Sequence, residues 1–223
     1  MSLPQTVTFV SPAHGLAPPG RAWRRRIALF ALCAFSATAS ANAGFGDQRA
    51  SSEARQVAQW VGDSGDNQGL PFVLIDKVAA RVFVFNAAGE LQGNDAALLG
   101  SARGDKTAEG IGELSLSAIR PEDRTTPAGR FVAHLDKDIH GRGLLLIDYD
   151  ASIALHPVVP GTALEQRAKR LRSETPDDNR ISFGCINVPP AFYEKVVRPA
   201  FTGTAGVVYI LPETSAASDY FRR

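Results

Sequence analysis

The stretch "RISFGCINVPP", residues 180–190, sets Cys185 between a glycine and an Ile-Asn-Val run, in a chain of 223 residues with only one other cysteine, Cys33. A lone thiol can be core packing, a metal ligand, half of a disulfide or a nucleophile. As a nucleophile it must lose its proton, so it needs an adjacent base or positive partner. Histidine suits that task because it titrates near neutral pH. His156 closes an apolar run, "SIALH", and is followed by Pro157, which halts regular pairing and sets the imidazole at a strand mouth. His140, in the turn-like "KDIHGRG", reads as a surface residue, and His134 alternates with apolar positions and reads as structural. Gly184 permits a tight backbone beside the sulfur, so the amides of Gly184 and Cys185 are candidate donors to an oxyanion. A helix starting at the Pro189–Pro190 pair would favour a nearby thiolate by a few tenths to about 1 kcal/mol. One cysteine and scattered histidines give no closed metal-ligand set, so no metal is expected. The bland alternatives are a buried, inert cysteine and a histidine satisfied by a strand-end carbonyl.

The chain that must position these residues opens with an export signal. Arg21, Arg24, Arg25 and Arg26 form a basic region, "IALFALCAF" (27–35) an apolar core too short to span a bilayer, and "ANA" (41–43) a small-residue cleavage pattern. The run "RRRIALF" also fits twin-arginine export beside the ordinary secretory route. Cleavage removes four of the 24 basic side chains and none of the 23 acidic ones, turning the formal net charge from +1 to −3. Without a basic excess there is no counterion release to drive general nucleic-acid binding. Cleavage also removes Cys33 and His14. Cys185 is then the sole thiol in an oxidising compartment, exported and periplasmic or wall-associated, with no stable membrane span.

Hydrophobic patterning over the remainder is mainly β. Residues 44–70 read as a linker with a short helix, in which Ala54, Val57, Ala58 and Val61 form the apolar stripe and Gly62 the stop. "FVLID" (72–76), "RVFVFN" (81–86) and, after the turn "AAGEL", "ALLGSA" (97–102) make a meander. Residues 103–130 read as long loops. Strands follow at 130–135, 143–149, 152–157 and 205–212. Thr162 and Glu165 resemble a capping box for a helix over 162–172, and "PPAFYEKVV" starts a second helix with Pro at its first turn. The expected folded domain is 71–215, followed by a tail at 216–223.

Taken together, "RISFGCINV", the strand-ending His156 and "TTPAGRF" (125–131) resemble the L,D-transpeptidase catalytic domain, or YkuD domain, of bacterial cell-wall enzymes. Their pattern is a His, a variable segment, then Ser/Thr-His-Gly-Cys, an aliphatic residue and Arg or Asn. Matching positions are His156, Ser182, Gly184, Cys185, Ile186 and Asn187, with Thr126, Pro127, Gly129 and Phe131 on the upstream "TPxGxF" feature. The resemblance spans residues 71–212. It implies a β-sandwich of mixed sheets with small peripheral helices and a site in a groove. It also implies an acyl transfer on peptidoglycan stem peptides, in which Cys185 forms a thioester, His156 is the base and the Pro157 carbonyl holds the second ring nitrogen. Arg180, Ser182, Phe183, Gly184 and Asn187 are the supporting or substrate-contacting positions it implies. Carbapenem-type inhibitors would acylate such a thiol. The same pair could instead serve a wall carboxypeptidase, endopeptidase or amidase, or survive in an inactive wall-binding relative. The chain departs from the pattern at Phe183, where the motif has His, and in a charged 162–180 segment that reads as an insertion beside the site.

Overall fold

The structure, a computed structural model, describes Phe45 and residues 49–221. The expected signal at 1–43, with Cys33, lies outside the described residues. Among those described, ten strands form: β1 (Phe72–Asp76), β2 (Arg81–Phe85), β3 (Leu91–Ala96), β4 (Leu99–Gly100), β5 (Gly129–Lys137), β6 (Gly143–Asp148), β7 (Ile153–Pro157), β8 (Arg180–Ser182), β9 (Ile186–Val188) and β10 (Gly206–Ile210). Eight make one mixed sheet in the order β3-β2-β1-β10-β5-β6-β7-β9, and β4 pairs with β8. β1–β10 and β7–β9 run parallel, and the other neighbours in the large sheet are antiparallel. Just after β3, the Leu98 and Asn187 backbones exchange hydrogen bonds of 2.8 and 2.9 Å. This brings one edge of the sheet round to β9, at the other edge, and curls it like a barrel. The mainly β expectation, with mixed pairing and small helices, holds.

The helices are α1 (Ser52–Ser64), α2 (Arg167–Arg170), α3 (Pro190–Phe192), α4 (Arg198–Phe201) and α5 (Ser218–Phe221), with a π-helical turn at Tyr193–Val197 joining α3 to α4. The inner face of the curled sheet buries Val73, Ile75, Val84, Leu145, Leu155, Ile186 and Val208, closed by Phe192, Tyr193, Val197 and Phe201 of the 190–201 helical run. On the outer face, Phe72, Leu74, Phe83, Phe85, Val207 and Tyr209 pack against Ala54, Val57, Ala58 and Val61 of α1 and Phe221 of α5. Both faces of β1 are therefore buried, which explains why its first four residues, "FVLI", are an unbroken apolar run rather than an alternating one. The Ala54 amide donates to the Ser51 hydroxyl at 3.1 Å to start α1.

Several expectations shift. α1 runs past Gly62 and stops at Gly65, whose φ of +66° makes the left-handed cap. The third meander strand is 91–96, not 97–102. "LQGNDA" lacks β-branched and aromatic residues, and only its pairing with β2 makes it a strand. The expected helix over 162–172 shrinks to Arg167–Arg170, because Gln166 at φ +47° breaks the run ahead of it. The residues expected as a tail supply α5, with Phe221 buried against Tyr209. His134 is exposed rather than structural, and His140 is exposed as expected.

Candidate active site

Register brings the two reactive side chains together. Parallel pairing sets Leu155 opposite Ile186 and His156 opposite Asn187. One step earlier, Cys185 lies beside Ala154, whose backbone N–H reaches the sulfur. Cys185, immediately ahead of β9, and His156 are thus offset by two residues in this register, and both open into the same groove. The groove lies on the sheet face opposite the inner core. Antiparallel register adds Asp136, Leu144, Leu146 and Ala154 to it, and these side chains floor the groove, about 1100 Å³ in volume, into which Pro157 opens as well. One wall is the β5–β6 hairpin with Ile139 and Arg142, and another the Gly110–Leu116 loop.

His156 is held in one tautomer. Its Nδ1 lies 2.8 Å from the Pro157 carbonyl oxygen, which can only accept, so Nδ1 carries the proton and Nε2 presents a lone pair. Burial lowers the imidazole pKa below its ordinary 6.5 and outweighs the Pro157 carbonyl, and the charges of Arg142 and Arg167 push the same way. The ring is neutral at pH 7 and fit to take a proton. Burial raises the Cys185 thiol above 9.0 against the opposing Ala154 amide. At rest the S–H donates to the Ser152 carbonyl at 3.4 Å. Burial of both groups favours a neutral thiol and a neutral imidazole in the groove over a pre-formed thiolate–imidazolium pair.

The turn carrying Cys185 is tied from several sides. Ser182 Oγ donates to the Cys185 carbonyl at 2.6 Å and accepts the Gly184 amide at 3.1 Å. That bond takes the Gly184 amide out of the expected oxyanion role and leaves the Cys185 amide as the candidate donor. Gly184 sits at φ +132°, and a Cβ there would lie 2.8 Å from the Thr125 carbonyl oxygen. No other residue fits without movement. Asn187, buried, donates to the Cys185 carbonyl at 3.3 Å and accepts Arg167 Nη1 at 3.0 Å. Phe183 packs beneath Arg124, whose guanidinium carbon lies 4.4 Å from the ring centroid. Arg180 points elsewhere. It pairs with buried Glu213 at 2.5 Å and donates to the Lys77 carbonyl, so it belongs to an internal ion network rather than to the groove.

Arg167, Arg142 and the Gly110–Leu116 wall carry no motif in the sequence that marks them for the site. Arg167 was one charge among many in 162–180, and only its bond to Asn187 distinguishes it. Lys77 left a fainter signal, as a cation just after β1, next to the charged Asp76 that ends the apolar run.

The fold and site thus define a mainly β domain with a cysteine–histidine pair in a surface groove. No protein-family model matches the chain, and no curated protein matches it in sequence. Among solved structures it is similar to the helical cell shape determining protein Pgp2 from Campylobacter jejuni, at 16% identity and a TM-score of 0.42. A lysine-to-alanine variant of that protein matches at 17% identity and a TM-score of 0.43. The first match covers 70% of this chain and 55% of the other, so this chain spans about half the length of Pgp2.

Proposed function

We propose that the protein is an exported cysteine acyltransferase, periplasmic or wall-associated, that acts on peptidoglycan stem peptides. The observation that carries the reading is the β7–β9 register, which sets Cys185 and a tautomer-fixed His156 on one face of one groove. The sequence resemblance supplies the substrate class. In the proposed reaction Cys185 Sγ attacks the carbonyl that follows the third residue of a stem tetrapeptide while His156 Nε2 takes the thiol proton. The C–N bond to the terminal D-Ala breaks, and His156 returns that proton to the leaving amine. The thioester then passes to an amine of a neighbouring stem or to water.

Glu113, Asp136, Asp138 and Asp150 line the groove against Lys137 and Arg142, a net negative surface that attracts an acceptor carrying an ammonium group, which must give up a proton before it attacks the thioester. Incubating the mature protein with purified muropeptides and resolving the products by mass spectrometry tests the reading. Crosslinked dimers with free D-Ala support a transferase. Loss of D-Ala without dimers would make it a carboxypeptidase, and unchanged muropeptides would leave only wall binding.

A further inference from the structure

The "TTPAGRF" motif contributes nothing to the groove lining, yet one of its hydroxyls lies directly behind the nucleophile. We propose that Thr126 is a positioning residue that links a buried lysine, Lys77, to the Cys185 turn and holds the sulfur at its attack position.

The chain of contacts is continuous. Lys77 is fully buried, and its ammonium donates to the Gly104 carbonyl at 2.6 Å, Asp105 Oδ1 at 2.8 Å and the Thr126 carbonyl at 2.8 Å. Three protons meet three acceptors, so the lysine fixes the Thr126 backbone without slack. Asp105 is itself anchored by the Glu213 and Thr214 amides at 2.7 and 2.9 Å and by the Ser215 hydroxyl at 2.7 Å. Thr126, also fully buried, accepts the Gly100 amide at 2.9 Å and donates to the Gly184 carbonyl at 2.8 Å. Gly184 immediately precedes Cys185. From the other side Arg124 stacks on Phe183, so the 124–126 segment grips both residues ahead of the nucleophile.

A buried hydroxyl with a donor on one side and an acceptor on the other acts as a rigid strut, because loss of either partner leaves a desolvated polar group. The effect on catalysis follows from geometry: a displacement of about 1 Å at a reacting atom can cost on the order of 100-fold. Thr126 touches no substrate, and its action runs through Gly184.

The inference rests on the reading of Cys185 as an acylable nucleophile, and the experiment separates the two. The wild type, Thr126→Val and Thr126→Ser are each treated with a carbapenem and, separately, with iodoacetamide, and intact mass follows both reactions over time. Alkylation needs only an accessible thiol, whereas acylation needs the sulfur placed against a bound carbonyl. Thr126→Val is expected to lose acylation by about 10- to 100-fold, with alkylation nearly unchanged, and Thr126→Ser, which keeps the hydroxyl, to recover most of it. Should Thr126→Val fail to fold by circular dichroism, Thr126→Ala, which also lacks the hydroxyl, takes its place with the same expected loss of acylation. Equal acylation in Val and wild type would overturn the proposal while leaving the nucleophile intact. Serine as damaging as valine would also overturn it, because keeping the hydroxyl would then not preserve the site and any change of packing at this buried position would account for the loss. A wild type that is alkylated but never acylated would remove both the proposal and the function it serves.

Discussion

Gly184→Ala is the sharpest single perturbation of the nucleophile turn. At φ +132° an L-residue is strained, and the added methyl would meet the Thr125 carbonyl oxygen at 2.8 Å and Ile153 Cδ1 at 3.0 Å. Holding a non-glycine residue in such a region costs about 1–3 kcal/mol. Relieving the overlap costs a further ~1–3 kcal/mol, since the nearest atom is backbone and cannot swing away. The sum, roughly 2–6 kcal/mol, is a large part of the 5–15 kcal/mol that holds a typical domain folded. At about 2–4 °C per kcal/mol for a domain of this size, the melting temperature should fall by roughly 5–20 °C. Gly89→Ala separates the two contributions, because Gly89 is also left-handed, at φ +81°, but has nothing within 4 Å of the added atom. It should show the conformational cost alone. Thermal unfolding followed by circular dichroism reads both variants, and carbapenem acylation reads the site. Gly184→Ala melting within about 2 °C of wild type and acylating at the wild-type rate would refute the close-packed turn.

Other expectations concern charge. Since burial holds His156 below 6.5, the acid limb of acyl transfer should fall below that value, with activity persisting into mildly acidic solution. Iodoacetamide alkylation of Cys185 should rise through a midpoint above 9.0, and a midpoint near neutrality would instead indicate a standing ion pair. Replacing Arg142 with Gln removes a cation that depresses His156, so the acid limb should move upward, a shift that histidine NMR titration reads independently of substrate. The same depression makes stability depend on pH: below 6.5 the unfolded chain binds a proton at this histidine that the folded one refuses, so stability falls as pH drops through that window. Lys77→Met leaves Asp105 and two carbonyls without their buried partner and should cost about 3–5 kcal/mol, measured as a lower urea midpoint. Asp105 is held well below the ordinary carboxylate range because Lys77, Thr214, Ser215 and the Glu213 amide outweigh its burial. In Lys77→Met its pKa rises, and acid unfolding should begin at higher pH.

What could be read directly from the chain was whatever a local pattern encodes. "FVLID", "RVFVF" and "GVVYI" are β-branched and aromatic runs buried on both faces, and no partner is needed to recognise them. The alternation of His134 and Asp136 with Ala133 and Leu135 was also visible, but not which side was wet. That depends on α1 and α5 covering one end of the outer face while the other end becomes the groove floor. Cys185 and His156 could be paired from their types and from a resemblance. Their shared face follows only from the parallel β7–β9 register, joining strands about 30 residues apart. Arg180 was misplaced because nothing in "NRIS" reveals that Glu213, far along the chain, captures its side chain. The 162–180 segment resisted reading for a similar reason: its arginines bond to Glu165, Asp178 and Asn187 across turns rather than along a helix.

The proposed function requires Cys185 to be an acylable nucleophile served by His156. Intact-mass measurement of the mature protein after exposure to a carbapenem at neutral pH tests it, run beside Cys185→Ala and His156→Gln. One adduct is expected on the wild type, none on Cys185→Ala, and acylation slowed by about 100-fold or more in His156→Gln. Cys185 left unmodified, or modified equally fast without His156, would contradict it.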